Sequence, residues 1–204
     1  MMKRTRSAKG FTAVEVLVSM TLFAIGAAGV ISMLRVSIQG NADARRFDMA
    51  TQIAAEWQAR LRRDSMAWTT PDAFNNVGNI QNTQFLKDAA ILTSPLQADA
   101  NWLQPLPAAP GTFGTSNAFD ILGREIPQGD PATFFCVNYR LDFLNPNNAQ
   151  ALANATSPIR AEVRVFWPRN EQAPPTGCQP PANTTTSTQY HFLYTATVIR
   201  RNAT

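Results

Sequence analysis

A chain of 204 residues has room for one domain with appendages, and its formal charge of +4 arises entirely within its first ten positions. Lys3, Arg4, Arg6 and Lys9 stand there without an acid, so 14 of the 18 basic side chains lie beyond them, equal to the 14 acidic ones. That balance excludes reading the basic isoelectric point as a nucleic-acid signal, and one histidine with two cysteines excludes a zinc module.

Residues 1–10 form a basic leader. They are followed by Phe11-Thr12-Ala13-Val14-Glu15 and an apolar run from Val16 through Ile25 that continues to Leu34. Glu15 is the only charge between Phe11 and Leu34. About 24 residues rising about 1.5 Å each reach about 36 Å, enough to cross a hydrocarbon core of about 30 Å. Basic residues flanking a first span stay on the cytoplasmic side, so the remainder of the chain is expected to be exported. A carboxylate inside hydrocarbon costs at least about 2.5 kcal/mol, so Glu15 calls for a partner, and an amine fits. Three plainer readings compete: a secretory signal peptide cut near Ala24-Ile25-Gly26-Ala27, an uncleaved anchor, and a buried soluble helix. The apolar run beyond Gly29 and the embedded acid count against the first. The length counts against the last.

The order of basic leader, Gly10, Phe11, Thr12, two apolar residues, Glu15 and apolar helix resembles the class III signal of type IV pilins and pseudopilins. The resemblance implies cleavage by a membrane peptidase between Gly10 and Phe11, N-methylation of Phe11, and Glu15 as the fifth mature residue. It covers roughly the first 35 residues; beyond them only the architecture is similar. Ser32 stands where major pilins of the best-known class carry proline. Together with Gly26-Ala27-Ala28-Gly29, this is more similar to minor pilins of the pilus-modification type, or to pseudopilins, than to a main fibre subunit.

After Leu34 the sequence turns polar, yet no proline occurs before Pro71, and Gly40-Asn41 is the only weak point. Met49, Ile53, Trp57 and Leu61 recur at helical spacing among Arg45, Asp48, Gln52, Glu56 and Arg60, so residues 35–67 read as an amphipathic continuation of the membrane-crossing half, residues 11–34. A helix from Phe11 to about Met66 would be about 84 Å long, too long for one small domain to cover. Gly26 and Gly29 sit inside its apolar half, either to let neighbouring helices approach or to mark a segment that loosens in a filament.

The exported head is expected over 68–204. Its first part, 68–133, is rich in Pro, Asn, Gln and Gly, with a short helix expected at Thr83–Leu92 and a short strand at Ala118–Leu122. This is the position of the variable loop region in pilins. In 134–204 the alternation is clear: Phe135, Val137, Tyr139, Leu141 and Phe143 on one strand, and Ile159, Ala161, Val163, Val165 and Trp167 on the next. A third, Tyr190–Ile199, gathers Phe192, Tyr194, Ala196 and Val198 on one face. The fold class is therefore α+β and pilin-like: a long N-terminal helix packed on an antiparallel sheet of three to four strands with one buried face. Cys136 and Cys178, an even pair bound for an oxidising compartment, are expected to form a disulfide, with two free thiols as the alternative. The bond would pin the loop carrying Pro174-Pro175 and Pro180-Pro181.

No catalytic motif is visible. His191 reads as an ordinary strand residue, and Arg60, Arg62 and Arg63 as basic residues at a helix end. No enzyme activity, metal or cofactor is expected. Glu15 is expected to attract the Phe11 amine of an adjoining subunit, with pairing inside one chain as the alternative. The resemblance implies a minor type IV pilin. Its partners would be a prepilin peptidase, other major and minor pilins, an inner-membrane pilus assembly platform, and membrane lipid before assembly. Its place would be the bacterial inner membrane, single-pass, N-terminus cytoplasmic and head periplasmic, then the pilus at the cell surface. A pseudopilin of a type II secretion system and an uncleaved membrane-anchored periplasmic binding domain are the other readings.

Overall fold

A computed structural model of the chain describes residues 10, 12–69, 80–91, 102–105, 114–144, 158–169, 176–179 and 188–200. Phe11, the leader before Gly10, Leu92 and the two proline pairs lie outside the described residues. The chain divides into two compact units, residues 1–45 and 46–204. Helix α1 (Ala13–Thr69) contributes to both.

In the first unit α1 is apolar from Val16 to Leu34 and its side chains there are open, with Leu17 64%, Leu22 65% and Phe23 79% exposed. Such a surface has no partner within the unit and suits hydrocarbon. This is the one helix among the described residues whose length and composition allow it to cross a membrane. Hydroxyls inside the run satisfy themselves locally: Ser19 Oγ donates to the Val16 carbonyl at 2.9 Å and Thr21 Oγ1 to that of Val18 at 2.8 Å. Gly40 and Asn41 are helical.

In the second unit α1 buries Ala50, Ile53, Ala54, Trp57, Leu61 and Trp68, each of which lies three, four or seven residues from another, so that they form one stripe. Met49 is partly buried beside it. The stripe covers a five-stranded antiparallel sheet in the order β2-β1-β3-β4-β5. Three long strands, β3 (Phe135–Phe143), β4 (Ile159–Pro168) and β5 (Tyr190–Ile199), form its body, and the two-residue strands β1 (Ala118–Phe119) and β2 (Glu125–Ile126) extend it at one edge. Val137 lies opposite Val165 and Tyr139 opposite Val163, which puts the odd-numbered apolar sets of β3 and β4 on the helix side. Burying each such large side chain stabilises by about 1.5–3 kcal/mol.

The short β1–β2 hairpin is held by polar contacts. Its turn closes through Asp120, whose Oδ1 accepts the amides of Leu122 and Arg124 at 2.9 and 2.8 Å, and Gly123 supplies the positive φ of 75° the turn needs. Glu125 accepts the amides of Gly114, Thr115 and Ser116 at 2.7–2.9 Å and pairs with Arg60 of α1 at 2.9 Å. The short helix expected at Thr83–Leu92 is instead a pair of 3₁₀ turns, Ile80–Asn82 and Leu86–Ile91. Asp64 of α1 accepts the amides of Gln84, Phe85 and Leu86, so local geometry there follows an anchor twenty residues away.

The four residues of β5 expected on one face do share one, and the structure shows which face it is. Phe192, Tyr194, Ala196 and Val198 of β5 turn away from α1, with Tyr194 58% and Val198 49% exposed. Leu193 and Ile199 meet the core in their place. Pairing of Leu193 with Val165 and Thr195 with Val163 fixes this, because odd residues of β4 face the helix and opposed residues share a face.

On the outer face Cys136 of β3 is bonded to Cys178, with Cα atoms 5.3 Å apart. The bond lays Thr176–Cys178 over the sheet and closes a second small core with Ala118 and Phe166. Gly177 and Cys178 both take positive φ, 69° and 53°, and the Gly177 carbonyl accepts the side-chain amides of Gln104 and Gln128. Next to it the Arg164 guanidinium lies 4.3 Å from the Trp102 ring centroid and donates to Asn138 Oδ1 at 3.0 Å.

Candidate functional site at the start of the long helix

Helix α1 starts where Thr12 stops being helical. Its carbonyl accepts the amides of Glu15 and Val16 at 3.1 and 3.2 Å, and its Oγ1 accepts the Glu15 amide at 3.4 Å. Thr12 is thus the N-cap and Glu15 the third helical residue, the spacing of a capping box. A carboxylate in the first turn also faces the positive end of the helix dipole, worth about 0.3–1 kcal/mol. The Thr-x-x-Glu signal is present in the sequence and gives Thr12 a role of its own as the cap.

Gly10 and Glu15 are both exposed, and Phe11 lies outside the described residues. Around Glu15 the helix surface is oil: Val14 is 69%, Leu17 64% and Val18 52% exposed. Gly26 and Gly29 face open space, since a Cβ at either would meet nothing within 4 Å. Among the described residues no packing requires a glycine at these positions. With Ala27 and Ala28 between them they form a shallow stretch flanked by larger apolar side chains such as Phe23, Ile25, Val30 and Ile31.

Elsewhere His191, Arg60 and Arg62 are engaged within the second unit. His191 stacks on Trp167 with ring centroids 5.4 Å apart. Arg60 is held by Glu56 and Glu125, and Arg62 donates to Thr197 Oγ1 of β5 at 2.8 Å, so two of the three basic residues at the helix end serve the head's own packing. Among the described residues no three His, Cys, Asp or Glu side chains group as a metal site.

Comparison with known families finds the prokaryotic N-terminal methylation motif over residues 5–31, a stretch that includes Gly10, Phe11, Thr12 and Glu15. The chain is prepilin-like at its N-terminus. No curated protein and no solved structure matches it.

Proposed function

We propose that this prepilin-like chain is a minor type IV pilin, a structural subunit that waits in the inner membrane, head in the periplasm, and enters or primes a pilus after prepilin peptidase cuts between Gly10 and Phe11. The observation that carries the reading is Glu15, the one charge in the apolar stretch 11–34, which lies at the start of α1 inside the methylation motif. Cleavage would place a positive amine on residue 11, four positions before Glu15, or about 6 Å along a helix axis. In a low dielectric a carboxylate and an ammonium attract far more strongly than in water. Methylated Phe11 of one subunit then meets Glu15 of the next, which selects stagger and parallel orientation as subunits join. The shallow places at Gly26 and Gly29 suit close approach of neighbouring helices, the role small residues play inside membranes.

The work is assembly and not catalysis. Its partners are the peptidase, other major and minor pilins, and the inner-membrane assembly platform. The Gly26-Ala27-Ala28-Gly29 stretch without a proline at Ser32 also suits a type II secretion pseudopilin, and deletion separates the two, since one abolishes piliation and the other exoprotein export. N-terminal mass analysis of protein extracted from its host's membranes tests the reading. A mature start at methylated Phe11 is expected, and a chain still beginning at Met1 would leave only an anchored domain.

A further inference from the structure

We infer that the outer edge of β5 is a docking site for an extended segment of a different exported subunit, which joins the sheet as a sixth strand. The choice of partner rests on the filament-subunit reading; the docking chemistry does not. The Arg169 amide donates to the Gln189 carbonyl at 2.7 Å, which makes that pair a hydrogen-bonded one in the antiparallel ladder between β4 and β5. Such pairs recur at every second residue. Leu193, Thr195, Thr197 and Ile199 therefore bond to β4, while the N–H and C=O groups of Tyr190, Phe192, Tyr194, Ala196 and Val198 point away from it. Among the described residues no strand pairs on that side.

Sheets usually guard such a row with charge, proline, a bulge or shortness. β5 has none of these. It is ten residues long, contains no Lys, Arg, Asp, Glu or Pro, and pairs with β4 through ten successive partners without a bulge. The opposite edge, β2, is two residues long. Among the described residues one edge of this sheet is guarded and the other is left open.

The open edge specifies its occupant. Backbone groups in a row are matched only by another extended backbone, which adds main-chain hydrogen bonds, while pockets for alternate side chains set specificity. The outward residues are apolar, and small Ala196 sits between Tyr194 and Val198. There a cleft of about 420 Å³ opens, lined by Trp102, Tyr194, Arg140, Arg160 and Glu162. An outward-facing side chain of the added strand opposite Ala196 enters it, and an aromatic or long apolar one stacks on Trp102 and Tyr194. A second copy of this chain does not fit the role. Contact of β5 with another β5 edge is isologous and closes as a dimer, whereas filament subunits meet through heterologous contacts. The only other edge a copy could offer among its described strands is the two-residue β2.

The test places p-benzoylphenylalanine at Tyr194 of the full-length protein in its native host, irradiates the membranes, and maps adducts by mass spectrometry. The expected product joins β5 to an extended segment of another protein that carries a methylation motif, and it is lost in both Ala196→Pro and Ala196→Lys. The Ala196 amide points to the free edge, where proline is tolerated, so the variant keeps its pairing with β4. An intact Cys136–Cys178 bond and an unchanged unfolding midpoint establish that it is folded. No adduct, an adduct only to a second copy or within the same chain, or one indifferent to both variants overturns the inference. The N-terminus is weighed in the same sample: a chain processed to Phe11 without an adduct removes the docking site alone, and an unprocessed chain with the adduct removes the filament reading alone.

Discussion

The Tyr139 hydroxyl donates to Asp88 Oδ2 at 2.7 Å while its ring stacks on Trp57 of α1, centroids 6.4 Å apart. One side chain on β3 thereby ties the sheet to the long helix and to the 3₁₀ turn Leu86–Ile91. Burial, and then the bond to Asp88, hold the phenol above its ordinary value near 10. A raised value means that the folded state keeps its proton where the unfolded chain loses it. The contribution is complete below about pH 10 and is lost as pH rises beyond it. Urea midpoints should therefore fall above about pH 10, and Tyr139→Phe should flatten that fall while costing about 1 kcal/mol at neutral pH. An identical alkaline slope in the variant would show that other groups control it.

Trp57 is fully buried, meets Phe85 edge-on at 5.4 Å and carries Arg60 over its ring. Trp57→Ala should destabilise the head by about 3–5 kcal/mol and Leu61→Ala by about 2–5 kcal/mol. Val198→Ala, on the half-exposed face of β5, should change it by no more than about 0.5 kcal/mol. Denaturant unfolding of the three variants checks the order. A Val198 effect equal to that of Leu61 would contradict the face assignment of β5.

How much of this was legible follows the strength of each local signal. The oily stripe at Ile53, Trp57 and Leu61 and the alternation of β3 and β4 could be read directly, because each element has one apolar face and one charged one. β5 carries no charge, and its two faces, Phe192-Tyr194-Ala196-Val198 and Leu193-Thr195-Thr197-Ile199, differ too little to say which is inward. The pairing with Val163 and Val165 decides it, and such a register is not written in the strand itself. The strand expected at Ala118–Leu122 is there but shorter, Ala118–Phe119, and its partner Glu125–Ile126 escaped because a two-residue strand has no period; Asp120, Gly123 and the Arg60–Glu125 pair make the hairpin. At the helix start the Gly10, Phe11 and Glu15 pattern was readable, and so was Thr12 as its cap, but the second meaning was hidden behind the first.

The disulfide fastens Thr176–Cys178 to β3 across a sequence separation of 42 and covers Phe166, which is fully buried. Cys136→Ser with Cys178→Ser should cost about 2–5 kcal/mol and open the small outer core. The core under α1 should survive, since Trp57 and Tyr139 lie on the other face of the sheet. Hydrogen exchange gives the separation: protection should drop near Phe166 while amides around Val137 and Val163 stay slow. Uniform loss of protection would mean that the two faces unfold as one unit.

A helix cap and the proposed attraction to an amine would each place an acid three residues after Thr12, and three substitutions separate them. Thr12→Ala removes the cap and should cost the helix start about 1 kcal/mol. Glu15→Gln preserves the capping-box chemistry, in which Gln serves as well as Glu, and removes only the charge. Glu15→Ala removes both. An intersubunit attraction between carboxylate and amine requires Glu15→Gln to fail in filament incorporation as badly as Glu15→Ala, with Thr12→Ala close to wild type and all three still cut after Gly10. The ratio of sheared-filament to membrane-bound protein, read by immunoblot alongside N-terminal mass, measures this. Rescue by Gln would assign Glu15 to the helix start, and the force that sets the stagger of subunits would then have to come from apolar packing around Gly26 and Gly29.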